Sequence, residues 1–366
     1  LDFYDELDCQ KVVLKPSVGS ASTGVYLCFN RHDLKDNFSK ITENNDIAAN
    51  RDYKILIQEM IQGEYFIMNT FSKKGQHAFT SSWLYKKMHK RNSASIYAYA
   101  VSRVPDPEKH ADIYQYVIEV LDALEITDGA VHMELFYDDE GVVLGEVNCR
   151  VMGASCPASF LDLIWGHHDT DFVLKSLLND EYFQEKCKQL PEILEKGYIF
   201  VFINEYDRYV DSLPVDQYLK RLKSMHSYSM SEPGQEFPET VDLATAPGYA
   251  YLASDNYRLV DKEVGLLWYY QKHASSVFFA DRVDHQQNVE DFDFNIESFV
   301  NNIPGPKNGI AICNDYNKSD KLQCFTLSED IISQNSNFVI IHLQSFDEGI
   351  NMEEIVAKLF TLLASV

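Results

Sequence analysis

The stretch VHMELFYDDEGVVLGEVNCRVMG, residues 131–153, limits the possible folds more than any other segment of the chain. Two runs of alternating side chains flank an Asp-Asp-Glu-Gly turn signal, the pattern of an antiparallel hairpin. Residues i, i+2 and i+4 of a strand share a face. His132 therefore stands beside Glu134 on the first strand, and Glu146, Asn148 and Arg150 stand together on the second. With Asp139, Glu140 and Gly141 as the turn, Asp138 pairs with Val142, Glu134 with Glu146 and His132 with Asn148. Val131, Met133 and Leu135, with Val143, Gly145 and Val147, are then expected on the opposite, apolar face. Like charges directly opposite each other cost roughly 0.2–1 kcal/mol at a surface and more where water is excluded. Two readings follow: a solvated sheet face, or a set of hard oxygen ligands for a cation such as Mg²⁺.

A second segment, LKPSVGSASTGV, puts Lys15 at a strand end before a loop holding Gly19, Ser20, Ser22, Thr23 and Gly24. Small residues let backbone N–H groups approach phosphate oxygens, hydroxyls add donors, and Lys15 adds a point charge. The order Gly-x4-Gly-Lys-Ser/Thr is absent, so this is not a Walker loop. By itself such a loop is more often only a turn. Between the two segments, ILIQEMIQGEYF offers an apolar strand ending at Gln58 to Ile61 and then Glu64. Its backbone suits a purine edge, and Glu64 suits ribose hydroxyls.

The chain carries 32 basic against 56 acidic residues, a formal charge of −24. Such a field repels nucleic acid and anionic membrane, leaving only local basic pockets for phosphate. At 366 residues, 45% hydrophobic and 13% aromatic, it can bury two or three domain cores. Seven scattered cysteines without a Cys-x-x-Cys pair suit a reducing cytoplasm better than a disulfide framework or a zinc site. No apolar run reaches the roughly 20 residues that span a bilayer. Asp112–Leu124 has the apolar spacing of an amphipathic helix, ASFLDLIWGHHDTDFVLKSLLND reads as helical, and GYIFVFINEYDRYV reads as a buried strand. YAYLASDNYRLVDKEVGLLWYYQKHA reads as a strand followed by a helix. From about Ser275 the texture changes to a polar, acidic stretch, two short strands (GIAICND and FVIIHL) and a closing helix.

Lys-Pro-x-x-Gly-Ser-x-Ser-x-Gly-Val, then Gln-Glu-x-Ile-x-Gly-Glu-Tyr, then His-x-Glu-Leu and Leu-Gly-Glu-Val-Asn-x-Arg-x-x-Gly occur in that order. Together they resemble the ATP-grasp superfamily, and within it the carboxylate–amine ligases of the L-amino acid ligase type, which make dipeptides and related amides. The match runs from about Val12 to Gly153 and more weakly to about Ala274. It implies an α+β or α/β ATP-grasp fold: a lid subdomain over residues 1–62, a larger antiparallel-sheet subdomain over 63–274, and an extra small α/β unit over 275–366. The amino-terminal domain usual in such ligases is expected to be absent from this sequence.

By the same resemblance the cofactors are ATP and Mg²⁺ or Mn²⁺. Lys15 contacts phosphates, Gly19, Ser20, Ser22 and Gly24 form the lid loop, Glu59 and Ile61 hold the adenine, and Glu64 lies near the ribose. Glu134, Glu146 and Asn148 hold the metal, Arg150 stabilises the transferring phosphoryl group, and His132, Gly153 and Ala154 approach the substrate. The implied reaction joins a carboxylate to an amine through an acyl phosphate. Its partners are small molecules, with no nucleic acid or membrane, and a homodimer is compatible with it. After Arg150 the chain has one glycine where many relatives have two. The alternatives are an ATP-grasp ligase with another acid or nucleophile, such as a carboxylase or a protein-modifying ligase, and a non-catalytic nucleotide-binding regulatory protein. Three further features read first as structural: His167, His168 and Asp169 as a solvated helix end, Cys149 as core, and the basic run LYKKMHKRN as a solvated loop, with a role near phosphate or an anionic substrate as the alternative because the run lies between the hinge and the metal strands.

Overall fold

The computed structural model describes residues 4, 11–17, 22–43, 54–89, 95–153, 156–273, 278–281, 311–314, 323–326 and 340–345. The chain forms two compact units, residues 1–201 with 239–246, and residues 202–238 with 247–366.

The first unit opens with a small antiparallel sheet. Strand β1 (Val12–Pro16) lies between β2 (Tyr26–Cys28) and β3 (Ile55–Glu59). Helix α1 (Arg31–Glu43) covers it, and Val12, Leu14, Cys28, Leu34 and Ile41 form its buried core. The helix starts where it does because Asn30 Oδ1 accepts from the backbone N–H groups of His32 and Asp33, each at 2.9 Å. The Asp33 carboxylate returns the favour by accepting from Phe29 N–H at 3.1 Å, a reciprocal cap.

A long antiparallel sheet follows, made in this unit from β4 (Glu64–Lys73), β5 (Gln76–His89), β6 (Ser95–Ser102), β7 (Gly129–Asp138), β8 (Gly141–Asn148) and β9 (Lys196–Phe202), in the order β9-β6-β5-β4-β7-β8. Lys74 and Gly75 both take positive φ (53° and 73°), which lets two residues turn the chain between β4 and β5. Helix α2 (Ala111–Ala123) lays Ile113, Val117 and Leu121 on one face of this sheet, against Phe66, Met68, Val131, Met133 and Leu135. Part of the other face is covered by α3 (Ala158–Trp165), whose Phe160 and Trp165 rings sit 6.4 and 5.8 Å from the ring of Trp83. Helices α4 (Asp169–Leu178) and α5 (Asp180–Lys186) pack Phe172 and Phe183 on Phe71.

In the second unit β10 (Arg208–Ser212) pairs with β12 (Gln235–Phe237) and β14 (Ala280–Asp281), and β11 (Met225–Met230) pairs antiparallel with β13 (Gly248–Ser254). A short helix α6 (Asp216–Leu219) and the long α7 (Tyr257–His273) complete it. From α7 the buried Glu263 carboxylate accepts from the backbone N–H groups of Lys223 and Ser224 at 3.0 and 2.9 Å. Strand β15 (Ala311–Asn314) runs parallel to β17 (Ile340–Ser345), which is antiparallel to β16 (Gln323–Thr326). The two strands expected after residue 275 are thus present as β15 and β17, together with β14 and β16, and the expected closing helix lies outside the described residues. Among the described residues, no helix is long and apolar enough to cross a membrane.

Candidate functional site

The hairpin has the expected pairs at its open end, Glu134 opposite Glu146 and His132 opposite Asn148, but reaches them by another route. Asp138 pairs with Gly141 rather than Val142, so the turn is the two residues Asp139 and Glu140. A bulge between Glu134 and Leu135 then inserts one residue, Gly145, and restores the pairing beyond it. A Cβ on Gly145 would come within 2.9 Å of Phe136 Cε2 and 3.1 Å of the Glu134 carbonyl oxygen, so the bulge is made for glycine. The bulge also reverses parity toward the turn. Val142 and Leu144 join Val147 on the apolar core, while Val143, expected there, is 43% exposed. Cys149 is likewise exposed rather than core.

Register carries the polar face onto β4, where Tyr65, Ile67 and Asn69 lie opposite Phe136, Glu134 and His132. Asn69 is clamped: its amide donates to Ser81 Oγ at 2.8 Å, and its carbonyl oxygen lies 2.8 Å from His132 Nδ1. His132 Nδ1 is therefore the protonated nitrogen, and Nε2 faces Glu134 Oε1 at 3.6 Å. Tyr65 OH donates to the other oxygen of Glu134. Burial and the Glu146 charge, against the weaker opposing pull of Lys15 and Arg150, push the Glu134 carboxyl up to about 7. Burial and the Arg150 charge bring His132 down to about 4, so its ring is neutral at ordinary pH.

The donor set fits a hard divalent cation. Two carboxylates face each other across the ladder, burial disfavours the charge on one of them, and the buried amide nitrogen of Asn148 has no hydrogen-bond partner among the described residues. A cation would turn the like-charge repulsion into attraction and take the amide through its oxygen. Among the described residues no group of three His, Cys, Asp or Glu could hold a metal ion.

Lys15 sits on β1 opposite Leu56, close enough for its charge to act on Glu134. The Ser22-Thr23-Gly24 turn is described, with φ of 64° at Ser22 and 73° at Gly24, and Thr23 Oγ donates to the Asp242 carboxylate at 3.3 Å. Gly19, Ser20 and Ala154 lie outside the described residues. Glu59 ends β3, exposed, and the next residue's N–H donates to the Lys11 carbonyl at 3.1 Å; Ile61 follows in the connector to β4. Arg150 donates to the Val151 carbonyl at 3.0 Å, and a Cβ on Gly153 would lie 3.5 Å from its guanidinium.

Glu64 is not gathered with these residues. It shares strand parity with Phe66 and Met68, and its carboxylate lies 3.3 Å from His110 Nε2 and 3.2 Å from Lys109 Nζ. Burial raises that carboxyl, but hydrogen bonds and charges from Lys109 and His110 outweigh it and hold it below its ordinary value.

Two features read as solvated are engaged. His167 Nε2 meets the Thr80 carbonyl at 3.0 Å, and the half-buried Asp169 accepts from the Met152 backbone, with burial raising its carboxyl. The basic run begins as strand, with Lys86 and Lys87 on β5 and Lys87 on the polar face. Tyr65, Asn69, Tyr85 and Lys87 are the site-face residues that hairpin reasoning missed. Extending the i, i+2 pattern of Tyr65, Ile67 and Asn69 across one more strand would have found the first two.

Residues 9–159 match the ATP-grasp domain family. Dapdiamide A synthase from Enterobacter agglomerans is 25% identical over 256 residues, 69% of this chain and 60% of that protein. The L-arginine-specific L-amino acid ligase of Bacillus subtilis is 24% identical over 143 residues, 39% of this chain and 34% of that one. Among solved structures, L-amino acid ligase from Bacillus licheniformis superposes with a TM-score of 0.57 at 16% identity, covering 74% of this chain and 64% of that one. The chain spans less than two thirds of the length of each of these relatives.

Proposed function

With residues 9–159 forming an ATP-grasp domain as the premise, we propose that the chain acts in an ATP-dependent ligase that joins an amino-acid carboxylate to an amine. The observation that carries this reading is the Glu134–Glu146 pair with Asn148, set by the Gly145 bulge on one face beside Arg150 and Lys15. The names of the two curated relatives, a synthase and an L-amino acid ligase, support the substrate class.

Glu134, Glu146 and Asn148 hold Mg²⁺ or Mn²⁺, which when bound offsets charge on the ATP phosphates. Lys15 and the Gly19–Gly24 loop draw the phosphates in, with Glu59 and Ile61 at the adenine. Glu64 reaches ribose only by releasing His110 and Lys109. A carboxylate oxygen of the acid attacks the γ-phosphorus and ADP leaves; Arg150 stabilises the charge on the transferring group. The amine nitrogen then attacks the acyl carbon and phosphate leaves. The proton the amine loses leaves with the phosphate or to solvent, and His132, kept neutral by burial and with Nε2 3.6 Å from Glu134 Oε1, approaches the substrate without serving as its base. Residues 1–62 serve as lid and 63–274 as catalytic subdomain. Small-molecule substrates and a cytoplasmic location complete the reading.

The test is amine-dependent ADP release across a panel of amino-acid pairs, for the wild type and Glu146→Gln. Loss of turnover of roughly 100-fold or more, together with loss of Mg²⁺-dependent nucleotide binding, is expected of the variant. A wild type that binds ATP yet releases no ADP with any amine would sink the ligase reading. A variant that keeps the wild type's Mg²⁺-dependent nucleotide binding would sink the metal assignment.

A further inference from the structure

The reaction above gives no task to Lys87 of the basic run. It lies on β5 two residues beyond Tyr85, which pairs with Tyr65, so all three share the face that carries Glu134. Its ammonium sits 4.3 Å from the ring centroid of Tyr65 and 4.4 Å from that of Tyr97. It also donates to Tyr65 OH at 3.3 Å. No ion pair between Lys87 and a carboxylate is present among the described residues. The neighbouring Lys86 points the other way and is exposed.

We propose that Lys87 is a positioning residue that acts through Tyr65 to fix the Glu134 carboxylate for a divalent cation; this rests on the cation reading of the hairpin given above. An ammonium has three donors and no acceptor, and a phenol has one proton, so with Glu134 ionised, as a cation site requires, the direction of the chain is forced. Lys87 donates to the Tyr65 oxygen, and Tyr65 must donate onward to Glu134. Accepting from a cation makes the phenol a stronger donor. The Tyr65 ring cannot swing away, because Phe136 stacks on it at 4.6 Å and Tyr85 meets its edge at 5.8 Å. One oxygen of Glu134 is thereby held by a relay that starts two strands away. Two tyrosine faces hold the ammonium at the start of that relay, a placement that suits a fixed support better than a mobile phosphate clamp.

The experiment measures Mn²⁺ binding to the whole chain in the presence of a non-hydrolysable ATP analogue, with nucleotide affinity and melting temperature followed in parallel. Lys87→Met and Tyr65→Phe are each expected to weaken Mn²⁺ binding roughly five- to tenfold while nucleotide affinity without metal is unchanged. Lys87→Arg should stay within about twofold of wild type, and Lys86→Met should not differ from it. Because the two side chains act in series, the double variant should be no weaker than Tyr65→Phe alone. The proposal is overturned if Lys87→Met matches wild type, if the two effects multiply, or if Lys87→Met weakens metal-free nucleotide binding and Tyr65→Phe does not. That last pattern would make Lys87 a direct phosphate contact. A wild type that binds no Mn²⁺ under these conditions would remove the cation reading itself. Tyr65→Phe removes a single oxygen, so the comparison survives if Lys87→Met folds poorly.

Discussion

On one face of the β7–β8 hairpin Val131, Met133 and Leu135 are at most 1% exposed and press on Ile113, Val117 and Leu121 of α2. On the other face His132 lies opposite Asn148 and Glu134 opposite Glu146, and the two glutamates repel each other. Each fully buried apolar side chain of that size stabilises by roughly 1.5–3 kcal/mol. The exposed-surface cost of one like-charged cross-strand pair is roughly 0.2–1 kcal/mol. The apolar face therefore outweighs the polar one and holds it in an arrangement it would not adopt alone. A strand slip of one residue would exchange the two faces, so the same burial that stabilises the hairpin also sets the register of the carboxylates.

The largest test of that link is Gly145→Val. A Cβ at this position would meet Phe136 Cε2 at 2.9 Å and the Glu134 carbonyl oxygen at 3.1 Å, which works against the bulge. With residue 145 kept but the bulge lost, the turn-end pairing continues to the open end, which turns Glu146 toward α2 and Val147 away from it. Gly145→Val is expected to destabilise the chain by roughly 3 kcal/mol and abolish Mg²⁺-dependent nucleotide binding, as read by denaturant melts and by binding in the folded fraction. A stable, binding-competent variant would break the connection between the bulge and the site.

A smaller effect separates the two faces by pH. Glu134 carries a folded value of about 7 against an ordinary 4.5, so the metal-free folded state holds this proton to higher pH than the unfolded chain does. Its favourable contribution is complete below about pH 4.5 and is lost as pH rises through about 7. His132, lowered to about 4, works in the opposite sense as pH falls below 6.5. The difference in melting temperature between Glu134→Gln and wild type therefore isolates the carboxylate. It should be near zero at pH 4.5 and grow to a few degrees in favour of the variant by pH 7.5, without divalent cations. A flat difference would contradict the electrostatic cost assigned to the polar face.

The smallest effect comes at Val143. Simple alternation puts it in the core, whereas the bulge leaves it exposed, so Val143→Ser should change stability by no more than ~0.5 kcal/mol in a denaturant melt. A loss of ~2 kcal/mol would return Val143 to the apolar face.

Much of the site was legible because strand periodicity and like-charge pairing are local properties of residues 131–153. The Glu134–Glu146 and His132–Asn148 partners follow from alternation and an approximate turn, and the strands around Lys15 follow from apolar runs flanking small residues. Gly145 misled the alternation rule because a bulge looks like any other glycine until its neighbours in space, Phe136 and the Glu134 carbonyl, are known. Cys149 misled it for a related reason: regular strand ends at Asn148, and beyond that point parity no longer tells inside from outside.

The sequence by itself determined the residues that can bear charge, the two periodicities and the order of the strands, since these depend on side-chain chemistry and on near neighbours along the chain. Only the tertiary structure decided which face Glu64 took, that Asp169 and His167 were engaged rather than solvated, and that Lys87 reaches Glu134 through Tyr65. Those outcomes depend on which strands lie side by side in β5-β4-β7, and that order is settled by burial of the apolar face against α2, a long-range energy that no short stretch of sequence contains.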